Sequence, residues 1–545
     1  MPPRKKTRTL NVRLLRRAYE PEGSFTESFS PDGDRPLSRM DWSGVDGGEL
    51  YVGQIFRKRP DWLGFLEANT DELPDNLSAS GAGAVLFLPV AGRVFALCFG
   101  HAHMTLNDDA FVPHFGLKVA LNSVPRDGLR TLDLATPDAV TFQKRVQASK
   151  DSDLQAFGVD LLRDLARVAG GTPTDRLFAK FVAGKDALSI TCEVEADGLV
   201  SKCEEILDSF SAKRYRNDFA WVDNMQVVTL KATLTRLDEK LFQALDELRQ
   251  GGTNELHMAP PEIVNYTEGG QLHYNGFGSH GINFNGLSIE DYVSELNRCG
   301  CTDDIDLIKK NHRIRAQTDA SGEFNERWRV YDCFTFETSL GKQGADRYHV
   351  LFAGKWYRVE KGFRTRVEAH FNSLKQVSLI GATGCRNERE LIEDLVKNRP
   401  DILMLDQTKI NPQGVRYANI EPCDFYSKNR EFIHLKDGHS SGPISHLWSQ
   451  GVVSAEALVS DADFRSKLRE VVRKKGGGFE AFLPSGKASK FPRQDYTVVY
   501  GIMRKPYADG SIDLPFFSKV SLQAACERIR QFGLSIAIEL IEKPA

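Results

Sequence analysis

The C-terminal third of the chain has the most regular spacing of apolar and polar positions. Asn387 opens an amphipathic segment in which Leu391 and Leu395 fall on one face, and this predicts a helix. Apolar runs predict strands at residues 402–405, 416–425, 431–435, 496–503 and 534–541, and helical spacing returns at 444–458 and 522–532. Strands that alternate with helices of this length predict an α/β layer built on a mixed sheet.

The remaining two thirds show weaker patterns. Alternating or apolar runs predict strands at residues 9–15, 50–55, 84–88, 94–99, 188–194, 328–337, 348–352 and 354–359, and a strand or buried segment at 115–122. Helical spacing is found at residues 154–168, 199–207 and 232–249. Because Pro260-Pro261 interrupts the pattern, we expect an α+β recognition or sensing module over residues 1–260, a β-rich middle segment over 261–370 and the α/β layer over 371–545.

Length and composition indicate a multidomain globular protein of α/β and α+β class. The 545 residues exceed what one hydrophobic core holds, and 41% apolar with 27% charged residues is typical of a globular chain. No apolar run approaches the ~18 residues that cross a bilayer, so we expect no membrane partner and a cytoplasmic location. The nine cysteines are scattered and predict reduced thiols, while Cys299 and Cys301 alone are a weak zinc signal.

The charge pattern bears on the choice of partner. The net charge of −3 does not favour nucleic acid, but residues 461–505 carry eleven Lys and Arg against five Asp and Glu. Such a local excess can follow a phosphate backbone. A solvated protein surface explains the same residues, so the charge pattern leaves both interpretations open.

Two neighbouring predicted strands end in residues suited to phosphodiester chemistry. Asp424 lies near the end of one strand, and His434-Leu435-Lys436 closes the next. Because residues two apart in a strand share a face, we expect His434 and Lys436 side by side and Leu435 in the core. A carboxylate here can bind Mg²⁺, and a lysine can stabilise the charge that develops during attack on a phosphate. An ordinary hairpin with a surface lysine has the same spacing, so the order of elements carries the prediction.

This arrangement resembles the PD-(D/E)xK, or restriction-endonuclease-like, nucleases. In that superfamily a core helix supplies a Glu, one strand supplies an Asp, and a neighbouring strand carries (D/E)-x-K. The resemblance implies a mixed sheet flanked by helices, with Asp424 and Glu388 as metal ligands and Lys436 as the catalytic lysine. Glu390 and Glu393 are alternatives for the helix acid.

One position departs from that pattern. His434 stands where these nucleases have an acid. Imidazole suits Mn²⁺ and other transition metals better than Mg²⁺, so the site either uses fewer carboxylates, prefers Mn²⁺ or has lost catalysis. Glu421 is a further metal ligand candidate, but three residues before Asp424 it would point to the opposite face of a regular strand. Pro422 predicts a bulge or edge that breaks this alternation.

Residues that follow Lys436 are candidates for substrate binding. Ser440 and Ser441 open a predicted helix, where free backbone N–H groups attract phosphate. His446 and Gln450 are four residues apart and share one face of that helix. The alternative is a serine N-cap followed by a solvated polar face.

Nearly the full length of the chain also resembles a sporadically distributed family of uncharacterised, defence-associated bacterial proteins. The similarity is densest over residues 420–425, 432–436 and 440–451. Members of that family are often found among restriction and other defence genes. The resemblance therefore implies a role in defence and attaches no demonstrated reaction to it.

Together these observations predict a nuclease that uses Mg²⁺ or Mn²⁺ and acts on nucleic acid, with DNA favoured over RNA, against phage or plasmids. Nucleases of this kind often pair two sites to cut both strands, so we expect a homo-oligomer. Two alternatives stay open. The chain can be a catalytically inactive nuclease-fold protein that binds nucleic acid or regulates a partner, or the N-terminal region can carry the enzyme, although that region offers no catalytic constellation.

Overall fold

Four β-sheets organise the part of the chain that the structure describes. This computed structural model describes residues 6–60, 63–67, 70, 76–136, 141–159, 161, 164–264, 271–279, 281–317, 323–341, 348–411, 420–438, 441–485, 491–506 and 510–544. For residues 64, 65, 441–443 and 445 it describes the backbone. The chain is multidomain and mixed α/β, as its sequence predicts.

The N-terminal region is built on one large antiparallel sheet. Its elements are β1 Thr7–Leu14, β2 Ser38–Asp41, β3 Glu49–Lys58, α1 Leu63–Glu67, β4 Ala79–Val90, β5 Arg93–Gly100, α2 Phe115–Ser123, β6 Leu129–Thr136, β7 Phe142–Ser152, β8 Leu165–Gly171, β9 Phe181–Gly184, β10 Leu188–Glu193, α3 Leu199–Ser211 and α4 Arg216–Phe219. The strand order is β2-β3-β4-β5-β1-β10-β9-β8-β6-β7. Leu10, Val12 and Leu14 alternate along β1 and are buried, which is the pattern of a strand with one face in the core.

Two predictions in this region are wrong or incomplete. The described residues of the 154–168 segment do not form a helix, because a 3₁₀ turn at Leu154–Phe157 closes on Gly158 and β8 begins at Leu165. Gly158 has φ +61°, a conformation that side-chain-bearing residues rarely adopt. Residues 115–122, predicted as a strand or a buried segment, are largely buried but form the helix α2 and not a strand.

The middle region combines two smaller antiparallel sheets with helices. Its elements are β11 Met225–Val227, α5 Lys231–Arg249, β12 His257–Met258, β13 Leu272–Asn275, α6 Ile289–Arg298, α7 Ile305–Asn311, β14 Arg313–Gln317, β15 Phe324–Arg329, α8 Val330–Cys333, β16 Phe334–Ser339, β17 Tyr348–Phe352, β18 Lys355–Val359 and α9 Lys361–Ser373. The sheets run β11-β18-β17-β16-β12 and β13-β14-β15. The single strand predicted at 328–337 is wrong, since the turn of α8 separates β15 from β16. Helix α5 packs Leu237 and Leu241 into the core of this region.

The C-terminal region contains a six-stranded mixed sheet, in agreement with the predicted layer. Its elements are β19 Lys375–Gln376, α10 Glu388–Asn398, β20 Ile402–Met404, β21 Phe425–Ser427, β22 Glu431–Asp437, α11 Ser441–Ser460, α12 Ala462–Lys475, β23 Thr497–Arg504, α13 Phe516–Gln531 and β24 Ser535–Glu542. The order is β19-β24-β23-β22-β21-β20. Strands β19, β24, β23 and β22 are parallel, while β21 and β20 are added antiparallel.

Helices cover both faces of this sheet because its central strands are apolar on both sides. On one face, Ile433 and Leu435 of β22 pack with Leu391 and Leu395 of α10. On the other face, Phe432 belongs to the cluster formed with α11 and α13. Alternate residues of β22 therefore enter two separate cores, and α10 and α11 lie on opposite sides of the strand.

Helix α11 approaches the sheet closely at Gly451. A Cβ atom at this position would overlap the hydroxyl and ring of Tyr500 in β23. The Tyr500 hydroxyl in turn donates to the Trp448 carbonyl oxygen at 3.0 Å. The absence of a Cβ atom at Gly451 thus allows the helix to rest closely on the parallel strands.

Contacts between the regions are apolar and ionic. A buried cluster combines Leu165 of β8 and Tyr357 of β18 with Phe516 of α13. Arg504, at the end of β23, donates to a Glu255 carboxylate oxygen at 3.0 Å. In the described ranges, no helix is both long and apolar enough to cross a lipid bilayer.

Candidate metal centre

The pairing of β20 with β21 brings two acidic loops to one edge of the mixed sheet. The strands are antiparallel, with Met404 opposite Phe425, so the end of β20 meets the start of β21. The Asp424 carbonyl oxygen accepts hydrogen bonds from the Leu405 amide at 2.7 Å and the Asp406 amide at 3.0 Å. These bonds hold Asp406, just after β20, beside Asp424, just before β21.

Three carboxylates converge at this edge. One oxygen from each of Asp406, Glu421 and Asp424 lies within 4.8 Å of the other two. Residues 421–424 precede β21 and are not part of a strand, so the alternation that would separate Glu421 from Asp424 does not apply. All three side chains are partly buried.

Backbone hydrogen bonds orient two of these carboxylates. The Leu435 amide of β22 donates to Asp424 Oδ2 at 2.6 Å. The Gln407 amide donates to Glu421 Oε1. Gln407 has φ +58°, an uncommon conformation for a residue with a side chain, and this turn directs its N–H toward Glu421. Asp424 and Glu421 are therefore oriented by main-chain amides of two different segments, β22 and the turn after β20.

The pKa values of the cluster reflect its burial and its concentrated negative charge. Burial raises the pKa of Asp424 to about 7, and the charges of Glu421, Glu388 and Asp406 act in the same direction against the Leu435 hydrogen bond. Burial also raises the pKa of Glu421, with a further contribution from Asp406. A bound cation would offset both effects, because it favours the ionised form of each carboxylate.

The donor set fits a hard divalent cation. Carboxylate oxygens from three side chains, close enough to share one ion, are the ligands that Mg²⁺ and Mn²⁺ prefer. Asp406 was not predicted as a ligand. Of the three predicted metal ligands, Asp424 and Glu421 belong to the cluster, while Glu388 contacts its neighbour Lys436.

Lys436 lies near the end of β22 and reaches the first turn of α10. Its Nζ atom is 3.0 Å from Glu388 Oε1 and 2.9 Å from Oε2, and the Asp437 amide donates to Oε2 at 3.2 Å. Asn387 caps α10 by accepting from the Glu390 amide, so the cap fixes the start of the helix that carries Glu388. The two predicted residues are thus brought together as an ion pair.

An open cleft lies between α10 and the turn after β20. It has a volume of about 570 Å³ and is lined by Glu388, Arg389, Ile392, Glu393, Asp406 and Gln407. Glu388, which pairs with Lys436, and Asp406 therefore border the same opening.

His434 occupies a different environment from the acidic residues. Its imidazole is buried, its Nε2 lies 3.2 Å from Ser454 Oγ of α11, and its ring lies 6.1 Å from that of Tyr500. Burial lowers the pKa of His434 to about 4. The side chain therefore packs as a neutral group in the α11 core. His434 is not one of the three clustered carboxylates, so the cluster itself contains no imidazole ligand that would favour Mn²⁺ over Mg²⁺.

The predicted substrate-binding residues are only partly described. Ser440 lies outside the described residues, as does the side chain of Ser441, the first residue of α11. His446 is exposed and Gln450 is partly exposed on that helix. Their role as phosphate contacts stays a prediction.

The protein has a mixed α/β fold, and its C-terminal region contains a six-stranded mixed sheet with helices on both faces. The chain belongs to the family of unknown function DUF6119, whose family model matches residues 10–542. No curated protein and no solved structure matches the chain.

Proposed function

We propose that this protein is a metal-dependent nuclease that hydrolyses phosphodiester bonds of nucleic acid, with DNA favoured. The observation that carries the proposal is the convergence of Asp406, Glu421 and Asp424 at the strand edge, where the amide of Leu435, the residue before Lys436, donates to Asp424. We further propose a cytoplasmic role in bacterial defence against phage or plasmid DNA, and a homo-oligomer that pairs two sites to cut both strands.

Each residue has a distinct role in the proposed reaction. Asp406, Glu421 and Asp424 would hold Mg²⁺ or Mn²⁺. When bound, such an ion polarises a phosphate oxygen and lowers the pKa of a coordinated water. Lys436 stabilises negative charge on the pentavalent phosphorus, and Glu388 positions its ammonium group through the 2.9 Å ion pair.

The open cleft also supports a polymeric substrate. Its lining includes Glu388 and Asp406, so a strand lying along it would bring a phosphate toward the carboxylates and Lys436. Arg389 on the same rim has an almost fully exposed side chain that can contact a neighbouring phosphate.

The test is cleavage of single- and double-stranded DNA and of RNA in Mg²⁺, in Mn²⁺ and in EDTA. We expect metal-dependent cleavage by the wild type and a loss of about a hundredfold or more in Lys436→Ala, because one charge-stabilising group is removed. Lys397→Ala is the matched control, since this exposed lysine lies at the far end of α10. Equal background from the wild type and Lys436→Ala under every condition would exclude catalysis by this site.

A catalytically inactive nucleic-acid-binding or regulatory protein is the second candidate. The observation that favours it is His434, a buried neutral side chain at the position where PD-(D/E)xK nucleases carry an acid. Binding of DNA that persists in Asp424→Ala, together with no cleavage by the wild type, would select this function. The presence of two further carboxylates within reach of Asp424 supports the nuclease instead.

A further inference from the structure

The middle region contains a second group of metal-ligating side chains, far from the acidic cluster in sequence and different in chemistry. Cys301 and Asp303 lie in the loop between α6 and α7, and His312 follows the last residue of α7. The Cys301 sulfur, an Asp303 carboxylate oxygen and a His312 ring nitrogen lie within 4.8 Å of one another. Cys301 and His312 are buried.

We propose that Cys301, Asp303 and His312 form a zinc site that joins the α6–α7 loop to the end of α7. Zinc takes thiolate, imidazole and carboxylate ligands in tetrahedral geometry, with Zn–S of about 2.3 Å and Zn–N of about 2.0–2.1 Å. Those lengths require ligand atoms about 3.4–3.6 Å apart, which the observed cluster can reach with small side-chain movements. Water fills the fourth position.

The surroundings of His312 orient its ring for coordination. Its Nδ1 lies 2.6 Å from the hydroxyl of the buried Tyr292, and its Nε2 lies 3.0 Å from Asp303 Oδ2. The ring also packs against Phe277, with centroids 4.6 Å apart. A histidine that ligates zinc through Nε2 carries its proton on Nδ1 and donates it to a second group, and Tyr292 Oη is in position to accept it.

The Cys301 side of the site is also fixed by the backbone. Burial raises the pKa of the Cys301 thiol, and the hydrogen bond from the Asp303 amide to the Cys301 sulfur opposes part of that rise. The Arg249 guanidinium donates to the Cys301 carbonyl oxygen at 2.6 Å, which ties the loop to α5. The sulfur therefore has a set position before any ion arrives.

The proton balance of binding is simple. Zn²⁺ forms bonds to Cys301 Sγ, Asp303 Oδ2 and His312 Nε2. The thiol proton leaves to solvent, the proton that His312 Nε2 shares with Asp303 is exchanged through solvent for one on Nδ1, and the hydrogen bond between Asp303 and His312 is replaced by the two bonds to the metal. This sulfur-and-nitrogen set selects zinc over Mg²⁺, whereas the carboxylates of the C-terminal cluster select the harder ion. The two sites thus take different metals.

The test uses the full-length protein, stripped with a chelator and then titrated with Co²⁺ as a spectroscopic substitute for zinc, in excess Mg²⁺ to occupy the acidic cluster. We expect one equivalent of Co²⁺ with thiolate-to-metal charge-transfer absorption, displaced by one equivalent of Zn²⁺. Cys301→Ser should lose that absorption, and Cys299→Ser, two residues away and outside the cluster, should retain it.

A second variant separates coordination from general damage to the fold. Tyr292→Phe removes only the hydroxyl that faces His312 Nδ1, and we expect zinc affinity to fall about 10–100-fold with the circular dichroism spectrum unchanged. The inference is overturned if the wild type shows no charge-transfer absorption, or if Cys301→Ser keeps it. Unchanged affinity in Tyr292→Phe would contradict the assigned geometry of His312.

Discussion

Replacing Asp424 with asparagine should stabilise the metal-free protein and weaken the metal-loaded one. Asparagine has nearly the same shape and keeps an oxygen for the Leu435 amide, which donates to Asp424 at 2.6 Å. It removes one negative charge from a partly buried group of three carboxylates. In EDTA this relieves repulsion and burial of charge, whereas in Mn²⁺ it removes a ligand.

The pKa of Asp424 gives the size and the pH range of the effect. A rise from 3.8 to about 7 corresponds to about 4 kcal/mol at 1.36 kcal/mol per pKa unit. The protonated Asp424 carboxyl contributes this free energy to the stability of the wild type in full below pH 4. The contribution is lost as the pH rises to about 7, since the folded carboxyl keeps a proton that the unfolded chain has released. Because water partly screens the site, we expect Asp424→Asn to gain about 1–2 kcal/mol above pH 7.

Metal reverses the order of stability. At a free Mn²⁺ concentration of a hundred times Kd, binding stabilises the wild type by about 2.7 kcal/mol. The variant lacks one of three ligands and gains much less. The wild type should then be more stable than Asp424→Asn by about 1 kcal/mol, although it is the less stable of the two in EDTA.

Thermal unfolding measured at pH 8 and pH 4, with EDTA and with Mn²⁺, checks this prediction. For a region of this size 1 kcal/mol shifts the melting midpoint by about 2–4 °C. Asp394→Asn, an exposed change on α10, is the control and should shift the midpoint in none of the conditions. If Mn²⁺ fails to stabilise the wild type, or if Asp424→Asn is equally destabilised with and without metal, the carboxylates do not form a metal centre.

Three further changes probe the surroundings of the site. Burial lowers the pKa of His434 to about 4, so its neutral ring contributes up to about 3 kcal/mol of stability that the wild type loses as the pH falls from 6.5 to 4. His434→Gln should remove this loss, which would be measured as a smaller fall in melting temperature than in the wild type over the same pH range. Gly451→Ala should lower the unfolding free energy by about 1–3 kcal/mol in urea titrations, through overlap with Tyr500. Glu388→Gln should change that free energy by less than about 1 kcal/mol, because the ion pair with Lys436 is partly exposed, and yet reduce cleavage at least about tenfold. Asp394→Asn, an exposed change on the same helix, should leave cleavage unchanged.

The C-terminal layer could be predicted because its local patterns agree with its tertiary environment. Strands β22, β23 and β24 are apolar runs buried between helices, and α10 begins at an asparagine cap with leucines four residues apart. Helix α12 was missed, since its many charged residues leave only a narrow apolar stripe of Phe464, Leu468 and Val472.

Helix α2 shows why periodicity fails for a fully enclosed element. Seven of its nine residues are buried, so it has no polar face and its sequence does not differ from that of a buried strand. The predicted helix at 154–168 failed for the opposite reason. Its apolar residues have helical spacing, but Gly158 takes a left-handed conformation that ends the turn.

The candidate site was predicted in part. Asp424, Lys436 and Glu388 follow from strand ends and from the helix cap, but Asp406 is separated from Asp424 by a long segment with no spacing signal. The signal available was its position directly after the apolar run 402–405, because the end of one strand meets the start of its antiparallel partner. Asp424 lies at such a start, directly before β21, and not at the end of a strand as predicted. His434 was expected to face the site, and its burial against Ser454 depends on packing with α11 that spacing does not encode.

The most direct test of the central claim is a crystal structure with Mn²⁺ bound, read from the anomalous scattering of the ion. The account predicts a peak between Asp406, Glu421 and Asp424 at ordinary metal–oxygen distances, with Lys436 free to turn from Glu388 toward a phosphate. A peak held by other residues, or no peak at this edge of the sheet with Mn²⁺ in excess, would contradict the metal centre and with it the proposed nuclease.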